Sequence, residues 1–90
     1  MTAGPIIVEI TNRRGLHARA SARFVTMASG YDALVTVTKD GHSVTGTSIM
    51  GLMMLAAATG DTVEVAAEGA QAEEALAALV GLIQAKFGED

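Results

Sequence analysis

The stretch Gly15-Leu16-His17-Ala18-Arg19 sets an ionisable ring where a run free of proline and glycine begins, with a guanidinium two residues later. If a helix starts at Ala18, its first N–H groups have no intrahelical acceptor and point out of the end. Together with the helix dipole they form an anion site suited to phosphate. A phosphoryl group on a ring nitrogen of His17 would be cradled by the backbone amides of Ala18 and Arg19. The Arg19 guanidinium would add charge-assisted hydrogen bonds. Histidine suits a transient carrier because its neutral nitrogen is nucleophilic near pH 7, and the P–N bond stays reactive enough to pass the group on. Gly15 lets the backbone before the ring bend or be closely approached. A lone histidine at a helix start is more often a tolerated surface residue, and spacing alone leaves the two readings open. The only other histidine, His42, stands in no recognisable ligand spacing with it, so neither a metal site nor a cofactor is read here.

A second unusual stretch runs from Ser48 to Ala58, where Ile49, Met50, Leu52, Met53, Met54 and Leu55 cover every face of a helix. A short helix on a sheet buries one stripe, roughly 100° wide. Leu52, Leu55 and Ala56 would fill it. Ile49, Met50 and Met53 then stay exposed as a partner surface, which adaptable methionine suits, while Met54 is at least as well placed in the core. Ser48 is a strong N-cap. A phosphate on it would change the charge beside the apolar patch.

The elements that must hold these residues follow from period and punctuation. Pro5–Thr11 reads as a strand with Ile6, Val8 and Ile10 on one face. Ala18–Ser29 reads as a helix carrying Ala20, Phe24 and Ala28 at helical spacing, ended by Gly30 in the left-handed region. Ala33–Thr38 alternates as a strand, Asp40-Gly41 is a hairpin turn, and His42–Gly46 returns as a short edge strand. A second helix is capped by Ser48 and stopped by Gly60. Val63 and Val65 mark a further strand. Ala72, Leu76, Leu79 and Ile83 stripe a last helix, with Val80 and Phe87 beside them. The order β-α-β-β-α-β-α implies an α+β open-faced two-layer sandwich: a four-stranded antiparallel sheet with three helices on one face.

The 90 residues make one domain, residues 1–90, half of them apolar. No cysteine is present, so there is no disulfide framework and no thiol nucleophile. No basic stretch followed by a long apolar run marks a secretory signal, and no apolar run reaches the roughly 20 residues needed to span a bilayer. A cytoplasmic protein is expected, with no membrane partner. The net charge of −4 and the scarcity of aromatic residues argue against nucleic acid as a partner. Yet four of the six basic residues, Arg13, Arg14, Arg19 and Arg23, flank His17. That patch suits an anion or an acidic partner, or is simply solvated arginine. No paired carboxylates support an acid–base enzyme.

"GLHAR" after a first strand and "SIMGLMML" opening a second helix, in this order of elements, resemble the HPr family over essentially the whole chain. These are histidine-containing phosphocarriers of the bacterial phosphoenolpyruvate-dependent phosphotransferase system. The resemblance implies that His17 carries the phosphoryl group on Nδ1 with Arg19 assisting. It implies that phosphorylated enzyme I is the donor and an enzyme IIA-type protein the acceptor. Ser48 falls at the serine that an ATP-dependent HPr kinase modifies in some relatives. Ile49, Met50 and Met53, with Arg23, fall on the docking surface. The implied role is that of a stoichiometric carrier, not an enzyme, serving sugar uptake or nitrogen and carbon regulation. The run "GLMML" and the ending "KFGED" are more similar to nitrogen-regulatory forms. The alternative is a regulatory adaptor that binds partners through the second helix, switched by phosphorylation. A monomer is the default, since a relay with two partners needs an accessible site. Three positions depart from the family pattern: Ala20 replaces a common proline, Thr47 a lysine before the regulatory serine, and Ala56 a frequent glycine, read here as a matter of local packing.

Overall fold

Alternation of β-branched residues with polar ones builds the sheet in the computed structural model, which describes residues 1–89. Strands β1 (Thr2–Glu9), β2 (Leu34–Lys39), β3 (His42–Thr45) and β4 (Thr62–Glu68) lie in the order β1-β4-β2-β3. Every neighbouring pair is antiparallel. Val63, Val65 and Ala67 of β4 point into the core, as do Val35 and Val37 of β2, while Glu64 and Glu68 face outward. Helices α1 (Ala18–Ser29), α2 (Ile49–Met54) and α3 (Ala72–Gln84) cover the inner face. Phe24, Leu52, Leu79 and Ile83 interlock there with the valines, all essentially inaccessible to solvent. The expected open-faced α+β sandwich is the observed one.

The differences lie at element ends. Val8 and Ile10 are buried as expected, but Ile6 remains 42% exposed, next to the point where the β1/β4 register shifts between Ala3 and Ile6. Asp40 and Gly41 both take positive φ (51° and 81°), as a tight hairpin turn demands. Gly30 ends α1 without entering the left-handed region. Its φ is −81°, and its N–H bonds back to Met27 and Ala28, tightening the last turn instead.

Helix α2 stops six residues earlier than Gly60. Leu55 and Ala56 donate to the carbonyls of Leu52 and Met53 at 3.2 and 3.0 Å, and Ala56 then adopts φ 54°. This corrects the reading of Ala56 as core packing: it is exposed, and its site demands a left-handed backbone. Such a conformation costs a residue with a Cβ about 1 kcal/mol or more, so glycine is the residue that this backbone favours. Ala57 takes the buried position that Ala56 was expected to hold. Gly60 instead serves the turn into β4, donating to the carbonyl of Ile10 at 2.8 Å. Phe87 is likewise displaced from expectation. Helix α3 ends at Gln84, and Phe87 is buried from a separate 3-10 turn, Lys86–Gly88, with its own φ at 56°.

Candidate functional site

Helix α1 begins where its sequence lacks any breaker, and His17 is its N-cap with extended backbone, φ −74° and ψ 179°. The first helical bond runs from the Ser21 N–H to the His17 carbonyl at 2.9 Å. The His17 ring folds back over the helix end, so that Nδ1 accepts the Arg19 backbone N–H at 3.3 Å. The unbonded electron pair of the ring therefore lies on Nδ1, at the positive end of a twelve-residue helix.

The approach to the ring is fixed by a close backbone crossing. Gly15 has φ 66°, and a Cβ built there would lie 2.3 Å from the Ala57 carbonyl oxygen. The next amide, of Leu16, donates to that same oxygen at 2.9 Å. Any side chain at position 15 would push the histidine loop away from the segment after α2. Ser21, buried, donates from its hydroxyl to the Leu16 carbonyl at 3.2 Å and holds the loop from the helix side.

Two residues outside the histidine stretch and α2 complete the surroundings. Glu89 places Oε1 at 2.8 Å from His17 Nε2, with both side chains about four-fifths buried. The same oxygen accepts from Asn12 Nδ2 at 2.9 Å, and that nitrogen also donates to the Gly15 carbonyl at 2.8 Å. These hydrogen bonds, from His17 first and then Asn12, hold the Glu89 carboxyl below the usual glutamate range. Asn12 is fully buried, and its Oδ1 finds no partner among the described residues. The Asn-Arg-Arg-Gly turn hints locally at Asn12, since asparagine often opens such turns. Nothing local points to Glu89, which lies 72 positions from the histidine.

The arginines separate into two uses. Arg13, Arg14 and Arg19 line a small depression that Glu89 also borders, which concentrates positive charge beside His17. Arg23 serves the C-terminal segment: its Nη1 donates to the Phe87 carbonyl and ties that segment to α1, and its charge favours the ionised Glu89.

On α2, Ser48 caps the helix through Oγ, which accepts the Gly51 N–H at 2.9 Å. Ile49 and Met53 are each 40% exposed and Met50 69%, as the stripe argument requires. Met54 is 78% exposed, so of the two places open to it the structure takes the surface: with Leu52 and Leu55 turned inward, the helical period points Met54 outward. Helix α2 packs on α1, so the apolar patch and the histidine belong to neighbouring elements.

A family model described as "PTS HPr component phosphorylation site" matches residues 6–85. The phosphocarrier protein HPr of Neisseria meningitidis is 52% identical over 82 residues, covering 91% of this chain and 92% of that one. The phosphocarrier protein NPr of Escherichia coli K12 is 43% identical over 84 residues, with 92% and 93% coverage. Among solved structures, the HPr-C-His protein of Thermoanaerobacter tengcongensis superposes with a TM-score of 0.93 at 45% identity, covering 98% of this chain and 99% of that one.

Proposed function

The chain belongs to the PTS HPr family, and on that premise we propose that it is a phosphocarrier of the phosphoenolpyruvate-dependent phosphotransferase system, with His17 bearing the phosphoryl group. The observation that carries the assignment to His17 is the position of Nδ1. It holds an electron pair at the N-terminus of α1, beside the depression lined by Arg13, Arg14 and Arg19. As the Nδ1 pair forms the bond to phosphorus, the bond from phosphorus to the donor atom breaks and its pair returns to the donor. The Arg19 amide is then released from the ring nitrogen and, with the amide of Ala18, faces the phosphoryl oxygens. The Arg19 guanidinium adds a charge-assisted hydrogen bond. Transfer onward reverses these steps on an acceptor. The protein turns over nothing by itself and works in the cytoplasm as a stoichiometric intermediate.

Phosphorylated enzyme I is the donor in this reading and an enzyme IIA-type protein the acceptor. Both meet the protein over the start of α1 and the exposed Ile49, Met50 and Met53 of α2. A second reading draws on that same patch, widened by Met54: a regulatory adaptor whose phosphorylation state is the signal. Ser48, capping α2, would carry a regulatory phosphate where a kinase for it exists.

Incubation with phosphoenolpyruvate and enzyme I, followed by mass spectrometry and phosphorus NMR, tests the carrier reading. One acid-labile phosphate on His17 is expected, absent in His17→Ala. An acid-stable product, or labelling that persists in the variant, would sink it. Partner binding that is unchanged by phosphorylation would remove the adaptor reading.

A further inference from the structure

We propose that Glu89 is a positioning residue for phosphoryl transfer: its carboxylate holds the His17 ring in the Nε2–H form and so presents Nδ1 as the acceptor. This inference rests on the carrier reading of His17 and adds to it a residue outside both motifs. What each group can donate fixes the protons around the ring. A carboxylate ionised near neutral pH only accepts, so a hydrogen bond of 2.8 Å to Nε2 requires the proton to be on Nε2. On the other side of the ring, the Arg19 N–H can only donate, so Nδ1 must be bare. Two independent contacts thus select the same tautomer, and the electron pair points toward the helix end where phosphate is favoured.

The carboxylate is itself held. Asn12 spends its Nδ2 hydrogens on the Gly15 carbonyl and on Glu89 Oε1, both of which are acceptors, so the amide has only one workable orientation. Through these two bonds the buried Asn12 bridges the carboxylate to the loop that delivers His17. The strap that carries Glu89 is anchored by the buried Phe87 and by Arg23 at the Phe87 carbonyl. During transfer the ring gains a P–N bond at Nδ1 and keeps its Nε2 proton, so it becomes cationic. Glu89 then faces that positive charge from the edge where the proton stays, with no further proton or electron needed.

The test compares wild type, Glu89→Gln and Glu89→Ala. Long-range proton–nitrogen NMR at a pH where the ring is neutral reads the His17 tautomer directly. Wild type and Glu89→Gln, whose Oε1 still accepts, should show the Nε2–H pattern, and Glu89→Ala should show added Nδ1–H character. In transfer from phosphorylated enzyme I, Glu89→Ala should lose about tenfold in kcat, as when an orienting partner of a histidine is removed, with KM unchanged. Glu89→Gln should fall between the two. A Glu89→Ala spectrum and kcat equal to those of wild type would overturn the proposal, and so would a loss confined to KM, which would place Glu89 on the partner surface. In either case labelling of His17 would still stand. Wild-type protein that takes no phosphate on His17 would instead overturn the carrier reading itself.

Discussion

The two capped helices α1 and α2 begin alike and serve opposite ends. Each N-cap residue has extended backbone, and each side chain accepts an amide of the following turn. Ser48 does this well: Oγ receives the Gly51 N–H at 2.9 Å and secures a helix of six residues that has little else to hold its start. His17 does it poorly, at 3.3 Å, on a helix of twelve residues that packs against both other helices. A long, well-packed helix tolerates a weak cap, so its first position is free to carry a nucleophilic nitrogen. The short helix lacks that freedom, and its cap is the best available residue type.

Replacing the weak cap by the strong one breaks the comparison most sharply. His17→Ser should abolish labelling from phosphoenolpyruvate and enzyme I, while stability in urea stays within about 1 kcal/mol, since serine ranks among the best caps. A loss of folding would show that the ring, not the helix, holds this end together.

Gly15→Ala comes next. The left-handed φ and the approach to the Ala57 carbonyl together should cost about 3 kcal/mol or more, read as a lower urea midpoint. A midpoint equal to that of wild type would mean that the loop is free to lift away from the segment after α2.

Met50→Glu should raise KM for transfer from enzyme I by about tenfold, roughly 1.4 kcal/mol, with the melting temperature unchanged, because the side chain is 69% exposed. Unaltered transfer kinetics would remove α2 from the docking surface.

Ser48→Ala should lower stability by about 1 kcal/mol, a fall of several degrees in Tm for a domain of this size. Labelling at His17 should persist, and its loss would tie the two caps more closely than their separate bonding suggests. The smallest effect is a gain: Ala56→Gly should stabilise the protein by about 0.5–1 kcal/mol by relieving the left-handed alanine after α2. A loss would mean that the methyl group makes a contact worth more than the strain.

Period and punctuation along the chain specify its local elements. Alternation in Thr62–Glu68 and the stripe Ala72, Leu76, Leu79 and Ile83 specify a strand and a helix, because each period matches one backbone geometry. The Asp40-Gly41 turn was equally plain, since both positions need positive φ. Local pattern is a poorer guide at the ends of elements, where contacts between distant segments help to decide. Gly60 looked like the end of α2 because nothing local shows that Ala57 must meet the Leu16 amide, which turns the chain at Leu55 and Ala56. Gly30 promised a left-handed cap, yet a tightened last turn satisfied its amide without one.

The sequence by itself therefore determined the layers of the fold, the histidine at the head of α1 and the excess of apolar residues on α2. Local periodicity and residue chemistry are properties of neighbours along the chain. Only the tertiary structure decided what surrounds the ring. Glu89 reaches His17 because the burial of Phe87 and the Arg23 bond to its carbonyl bring the end of the chain across α1. That contact spans 72 positions and leaves no periodic trace, because it depends on two remote segments packing together.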